Sequence, residues 1–238
     1  MQNRMGKLRQ SRILPVAHGR YGVHDCEQEI PMTEARQFWD ALSERYSRSP
    51  IRDMPAYEAT LERTRAHLGL QDHVLEIGCG TASTALLLAN SVAQYVASDF
   101  SQGMVEIGRN KVQQAGVGNI TNLQAALPDP QIADAAFHGV LAFNLLHLLP
   151  DLPAVLADVH RILKPGGLFI SKSPCLGRAW YLKPVIGAMR AVGKAPYVQF
   201  FTPEQLEGAI TAAGFEIVER GDYPRKRTPS RFVVARRL

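Results

Sequence analysis

The spacing of apolar and polar positions divides the chain near residue 31. From there Phe38, Trp39, Leu42 and Tyr46 recur at three- and four-residue intervals and build one apolar face of a helix, with Thr33 as its expected cap. The spacing predicts a second helix from about Pro55 to Leu68, ended by Gly69. The period then changes. Val74 to Ile77 is a short apolar run closing on Gly78, and Thr84 to Asn90 carries Ala85, Leu86, Leu88 and Ala89 of a buried helix. Strand, glycine turn and helix follow one another. A strand over Tyr95 to Ala97 ends at Asp99, and a helix over Ser101 to Ala115 stops at Gly116. Strands at Asn119 to Leu123 and Val140 to Phe143, a helix over Leu152 to Leu163, the turn Lys164-Pro165-Gly166-Gly167 and a strand at Leu168 to Ser171 continue the alternation. Such alternation predicts an α/β fold with a doubly wound, mostly parallel sheet, and places ligands at the carboxyl ends of its strands.

The end of the chain follows a different rule. Thr202-Pro203-Glu204-Gln205 supplies an N-cap threonine, a proline at the first helical position and a glutamine three residues after the cap, so a helix is predicted over residues 203–213, with Gly214 beyond it. Phe215 to Val218 and Phe232 to Ala235 are the last two strands. Their linker holds Pro224 and Pro229 and is too short for a crossover helix, which makes the pair an antiparallel hairpin. The expected architecture is therefore a seven-stranded Rossmann-like sheet with N-terminal helices and an antiparallel C-terminal hairpin. Residues 1–31 show no sustained period and hold Gly6, Pro15, Gly19, Gly22 and Pro31. They are expected to be a flexible or extended N-terminal segment, and residues 32–238 a single domain in which residues 174–201 form an insertion that caps the substrate.

Composition narrows the class. The chain has 238 residues, 46% apolar and 21% charged, which excludes disordered, collagen-like and disulfide-scaffold classes. Its net charge of +5 is unevenly distributed. Residues 171–203 carry five basic and no acidic groups, residues 220–238 carry seven and one, and residues 32–170 carry ten and fourteen. Cys26, Cys79 and Cys175 lie far apart without a CxxC pair, so no metal site is expected and a reducing cytoplasm fits. The longest apolar run, Gly139 to Pro150, is shorter than the roughly 18 residues that span a bilayer and contains Asn144 and His147.

The strongest constellation is Val74-Leu75-Glu76-Ile77-Gly78-Cys79-Gly80-Thr81-Ala82, with Asp99 following 21 residues after Gly78. A strand entering a tight glycine turn lets the backbone approach a ligand, and an acid ending the next strand can accept hydrogen bonds from ribose hydroxyls. This pattern points to a nucleoside-containing cofactor without saying which. As a dinucleotide fingerprint the turn is imperfect, because Ser83 stands at the third glycine position.

Four segments in order carry a resemblance. Glu76-Ile77-Gly78-Cys79-Gly80-Thr81 resembles the first motif of class I S-adenosylmethionine-dependent methyltransferases, and Asp99-Phe100-Ser101-Gln102-Gly103-Met104 resembles their second-strand motif. Phe137 to Leu149 resembles their fourth-strand region, and Arg161 to Gly167 the turn before their fifth strand. The likeness covers about residues 38–237 and is nearest to the broad group that includes the ubiquinone and menaquinone C-methyltransferases. It implies S-adenosylmethionine as cofactor and S-adenosylhomocysteine as product. It further implies that Gly78, Cys79 and Gly80 lie beside the methionine part, that Glu76 orders the site, and that Asp99 holds the ribose hydroxyls. Phe100 and Met104 would flank the adenine, Asn144 and the backbone of Phe143 would line the methionine end, and Tyr46 would lie over the cofactor. This chain departs from the pattern at three places: Ala82 replaces a third glycine, a change compatible with a negative φ; His138 stands at a common aspartate position; and the third-strand acid is absent near Gln124-Ala125-Ala126.

No catalytic residue is assigned, because methyl transfer from a sulfonium asks the protein mainly to align the acceptor and exclude water. His147, in an apolar run, reads as structural, and Cys79 as a small residue beside the cofactor. The acceptor is expected to be a small molecule, lipophilic or anionic, selected by the N-terminal helices and the insertion. In that insertion Arg178, Lys183, Arg190 and Lys194 alternate with Trp180, Tyr181, Val185, Met189 and Val192, a composition suited either to a lid, to contact with a membrane surface through residues 178–194, or to simple packing on the sheet. The run Arg225-Lys226-Arg227 has no interleaved aromatics, so nucleic acid is not an expected partner. Two alternatives share the glycine turn: a nicotinamide-dependent oxidoreductase and a cofactor-binding protein without turnover. Oligomeric state is not encoded in any of these patterns.

Overall fold

A computed structural model describes residues 32–223 and 229–238. The N-terminal segment 1–31 and the run Arg225-Lys226-Arg227 lie outside the described residues. Two helices, α1 (Met32–Arg48) and α2 (Met54–Arg65), lead into β1 (His73–Ile77), α3 (Ser83–Leu88), β2 (Gln94–Asp99), α4 (Gln102–Ala115) and β3 (Ile120–Gln124). The second half comprises β4 (Phe137–Phe143), α5 (Leu152–Ile162), β5 (Leu163–Pro174), α6 (Lys183–Ala191), α7 (Pro203–Ala212), β6 (Phe215–Asp222) and β7 (Ser230–Arg237). The seven strands form one sheet in the order β3-β2-β1-β4-β5-β7-β6. The first five in that order pair in parallel, and β7 runs antiparallel to both β5 and β6.

Adjacent residues of the central strands serve opposite faces. Leu75, Val140, Phe169 and Val233 are buried on one side with Leu156 and Ile162 of α5 and Leu206 and Ile210 of α7. Val74, Leu141, Ile170, Phe232 and Val234 are buried on the other with Ala85 and Leu88 of α3, Val112 of α4 and Leu61 of α2. Both faces being covered explains the continuous apolar runs, since each side chain so buried contributes about 1.5–3 kcal/mol whichever way it points.

Local signals set the helix ends. Ser101 caps α4 by accepting from the Met104 amide at 3.2 Å, and Gly116 ends it at φ 65°. At α7 the expected capping box is complete: Thr202 Oγ1 accepts from the Gln205 amide, and the Gln205 side chain accepts from the Thr202 amide at 2.8 Å. Three boundaries differ from expectation. α1 begins at Met32, so Thr33 sits within its first turn instead of capping it. α2 is capped by Asp53 and ends at Arg65, with Ala66 as its C-cap; Gly69 instead donates its amide to the Asp72 carboxylate at 2.7 Å, closing a turn. The Lys164-Pro165-Gly166-Gly167 turn is a bulge inside β5, because Phe137 pairs with Leu163 and Gly139 with Leu168.

Between β5 and α7 the insertion forms a 3-10 turn (Gly177–Leu182) followed by α6, which has no buried residue. Trp180, Tyr181, Val185, Met189 and Val192 are all exposed, so the apolar side of this segment does not pack on the sheet. Its basic heads rest on its own aromatics, Lys183 over Phe200 and Arg190 over Tyr197. Among the described residues no helix is long and apolar enough to cross a membrane.

Candidate functional site

The chain winds from β1 outward to β3 and then returns to β4, so the crevice at the carboxyl ends of β1 and β4 is the point where the strand order reverses, the position that binds ligands in open α/β sheets. The turn after β1 shapes its floor. Gly78 has φ 64°, and a Cβ there would lie 2.7 Å from Leu145 Cδ1, so no larger residue fits. Gly80 has φ 55°, and a Cβ there would meet the Tyr46 ring at 3.4 Å. Helix α1 thus lays Tyr46 over the glycine turn. Ala82 overturns an expectation: its φ is 57°, left-handed, although the residue is fully buried. The turn imposes this conformation, since the Ala82 amide donates to the Cys79 carbonyl at 3.2 Å while its own carbonyl receives the Leu86 amide at 3.1 Å to open α3. The methyl group does not remove the backbone requirement that a glycine would meet, and it costs about 1 kcal/mol.

Asp99, at the end of β2, is 7% exposed and ties this turn to the next helix. One carboxylate oxygen accepts from the Gly80 amide and the other from the Ser101 amide, both at 2.9 Å. Burial raises its pKa, and those two amides oppose the rise. Helix α1 joins the same network: Asp40 Oδ1 accepts from Ser101 Oγ at 2.5 Å and from the Gly103 amide at 3.0 Å. Phe100 and Met104 follow Asp99 in chain order, Phe100 half-buried and Met104 only 2% exposed.

Glu76 stands inside β1 with 2% exposure. Tyr95 Oη donates to its carboxyl group at 2.8 Å. Burial, with a smaller contribution from the charge of Asp99, pushes its pKa up to about 8, so the group is protonated near neutral pH. Cys79 is buried and its thiol is held well above the ordinary range by burial, which makes it a poor nucleophile.

These residues open onto a cavity of about 440 Å³. Of the residues predicted from sequence, Tyr46, Glu76, Gly78, Cys79, Phe143 and Asn144 line it. Gly80 lies under Tyr46, and Asp99, Phe100 and Met104, on the join from β2 to α4, do not line the cavity. Asn144, left-handed at φ 54°, donates its amide to the Lys172 carbonyl at 2.7 Å and so fixes the end of β4 against β5. His147 does not line the cavity; its Nδ1 is buried without a hydrogen-bond partner among the described residues, and burial lowers its pKa to about 4, leaving it neutral.

Sequence reasoning missed four contributors. Tyr57 and Thr60 of α2 form one wall, with Tyr57 Oη and Thr84 Oγ1 3.0 Å apart. Lys172 of β5 forms another, 8% exposed, its Nζ donating to Thr60 Oγ1 at 3.0 Å and to the Ala56 carbonyl at 3.5 Å. Asp40 is the fourth. The sequence holds a signal for Lys172, a lone cation between Ser171 and Ser173 at the end of an apolar strand, but none for its partner more than a hundred residues away.

Residues 74–167 match the family described as "Methyltransferase domain". A demethylmenaquinone methyltransferase of Symbiobacterium thermophilum is 34% identical over 113 residues, 44% of this chain and 44% of that protein. The corresponding enzyme of Geobacillus kaustophilus is 33% identical over 99 residues, 40% and 42%. The matched stretch therefore spans less than half the length of these relatives. Among solved structures, the [4+2]-cyclase SpnF superposes with a TM-score of 0.69 at 18% identity, covering 87% of this chain and 96% of that one. An S-adenosylmethionine dependent methyltransferase from Mesorhizobium loti gives 0.63 at 20% identity, covering 76% and 98%. These likenesses show the fold, a seven-stranded Rossmann-like sheet closed by an antiparallel hairpin.

Proposed function

We propose that this chain, which has the class I methyltransferase fold and a methyltransferase domain over residues 74–167, transfers the methyl group of S-adenosylmethionine to a small-molecule acceptor. The observation that carries this reading is the join at the sheet's reversal point: a turn with left-handed glycines at Gly78 and Gly80, bonded through Gly80 to the buried carboxylate of Asp99, beside a cavity. When bound, the cofactor supplies an already activated methyl group. The rest falls to the protein. Asp99 uses one lone pair on each oxygen for backbone amides and keeps the others for ribose hydroxyls. Gly78, Cys79, Gly80, Asn144 and the Phe143 backbone take the methionine end, Phe100 and Met104 the adenine, and Tyr46 covers the site from α1. Glu76 orders the floor and can take up negative charge when a cation arrives. Residues 32–238 act as one domain in this reading, with residues 174–201 as its substrate-side cap, and the buried free thiols Cys79 and Cys175 suit a reducing cytoplasmic setting.

Calorimetry with S-adenosylhomocysteine tests the reading: binding in the micromolar range is expected, weakened at least about ten-fold by Asp99→Ala through lost hydrogen bonds. No binding by the folded protein at high micromolar concentration refutes it. Thermal stabilisation by NAD instead would favour the oxidoreductase alternative. Cofactor binding without transfer to any acceptor pool would favour a protein without turnover.

The acceptor in this reading is lipophilic or anionic. A lipophilic acceptor would be collected at an anionic lipid surface by residues 178–194, where exposed Trp180, Tyr181, Val185, Met189 and Val192 accompany basic residues and no acid.

A further inference from the structure

Lys172 is a buried cation to which the cofactor roles above give no task. It sits at the carboxyl end of β5, in register with Phe143 of β4, two strands beyond β1 and three beyond the strand that ends in Asp99. At roughly 4.8 Å per strand it stands on the order of 14 Å from the Asp99 strand. A nucleoside held at Asp99, with its methionine end over Gly78 and Asn144, directs its sulfonium towards this wall. Lys172 therefore faces the space left for the acceptor.

Its surroundings do not satisfy it. Its two hydrogen bonds go to neutral oxygens, and Thr60 Oγ1 is itself already committed as a donor to the Ala56 carbonyl at 2.7 Å. The contact to that carbonyl is long, so the ammonium keeps donor capacity for the cavity it lines. Among the described residues no carboxylate forms an ion pair with Lys172 Nζ: burial lowers its pKa, and Asp53, whose carboxylate caps α2 by accepting from the Ala56 amide at 3.2 Å, opposes that fall only through its charge. Glu76 on β1 is protonated near neutrality, Tyr46 of α1 and Tyr57 of α2 are phenols raised by burial, and Arg52 at the rim adds a second positive charge. A lysine removed from water without a full partner costs several kcal/mol, and groups kept at such cost concentrate at functional sites.

We infer that Lys172 anchors the acceptor, and that the acceptor presents an anionic oxygen, a phenolate or a carboxylate, on an apolar body packed against Ile51, Leu61 and Phe143. This rests on the methyl-transfer reading. The anchored oxygen fixes the acceptor's orientation relative to the methyl group, and the choice of anion over neutral isostere is made at Lys172.

The test uses the full chain saturated with S-adenosylhomocysteine and two probe pairs: 2-naphthoate against 2-naphthamide, and 4-nitrophenolate against nitrobenzene at pH 8, followed by calorimetry or ligand-observed NMR. At least one anion is expected to bind about ten-fold or more tightly than its neutral partner, the scale of a hydrogen bond to a charged group. Lys172→Met and Lys172→Gln are expected to abolish that preference while leaving S-adenosylhomocysteine affinity within about two-fold, a window of less than 1 kcal/mol. Which pair responds tells carboxylate from phenolate. Equal binding of anion and neutral partner, no binding of either anion, or a preference that survives in a folded variant overturns the inference. The wild-type comparison decides the matter even if both variants fail to fold. Failure of S-adenosylhomocysteine to bind would instead remove the parent reading.

Discussion

Replacing Glu76 by glutamine isolates one buried charge from the rest of the site. The side chain keeps its shape and an oxygen able to accept from Tyr95 Oη, but it loses the ability to ionise. In the wild-type protein the carboxyl pKa rises from an ordinary 4.5 to about 8 on folding, chiefly by burial. Between these values the folded state holds a proton that the unfolded state has released, so stability falls as pH rises. The contribution is fully present below pH 4.5, declines from there to about pH 8, and levels off above it. At pH 7 the loss amounts to about 3 kcal/mol, from 1.36 kcal/mol per pH unit. Glu76→Gln lacks this slope. For a chain of this size a kilocalorie shifts the melting temperature by about 2–4 °C, so the variant should melt close to wild type at pH 4.5 and about 6–12 °C above it at pH 7 to 8. Differential scanning calorimetry of both proteins from pH 4.5 to 8.5, without cofactor, measures the gap, and every other titrating group cancels in the difference. A gap that does not widen with pH would refute the claim that Glu76 is buried in its neutral form. The same variant should bind S-adenosylmethionine less tightly, and wild type should release a proton on binding it near pH 7, read from calorimetry in buffers of different ionisation enthalpy.

Gly78→Ala forces a left-handed alanine and a 2.7 Å contact with Leu145, and should destabilise the fold by about 2–4 kcal/mol and abolish S-adenosylhomocysteine binding, measured by denaturant melts and calorimetry. Ala82→Gly trades about 1 kcal/mol of relieved backbone strain against about 0.8 kcal/mol of lost methyl burial, so its melting should match wild type, whereas Ala82→Val should melt well below. Flotation should recover the protein with phosphatidylglycerol vesicles and not with phosphatidylcholine vesicles at low salt, and Trp180→Ala with Val185→Ser should abolish recovery without lowering cofactor affinity; equal recovery with both lipids would refute the surface assigned to residues 178–194.

What could be read in the sequence was local. The glycine turn, the acid 21 residues later, the helix stop at Gly116 and the capping box at Thr202 each depend on a few neighbouring residues, and all stand where the pattern put them; the antiparallel C-terminal hairpin is also present. The features that escaped depend on distance. Lys172 meets Thr60 across 112 positions, and Asp40 meets Ser101 across 61, separations at which periodicity is silent. Ala82 failed for another reason. An alanine in place of glycine suggests an ordinary conformation, yet the hydrogen bonds of the turn dictate φ, and the residue type only decides the cost. For the insertion, composition left a lid, a membrane-facing surface and simple packing on the sheet open, and the exposure of Trp180, Tyr181, Val185, Met189 and Val192 speaks against the last.

The strand order carries a consequence for how such a chain is made. β7 is the last strand along the chain but an interior one in the sheet, wedged between β5 and β6. A polypeptide growing from its amino end therefore has β1 to β5 available long before the strand that covers β5 exists. Until residues 230–237 emerge, the apolar stretch Phe169-Ile170 stands at an open edge, the kind of edge that recruits other chains. Closing it brings Leu168 to Arg236, a pairing far apart in sequence and slow to form for that reason. Loss of the final eight-residue strand would leave that edge of β5 uncovered and β6 without its partner.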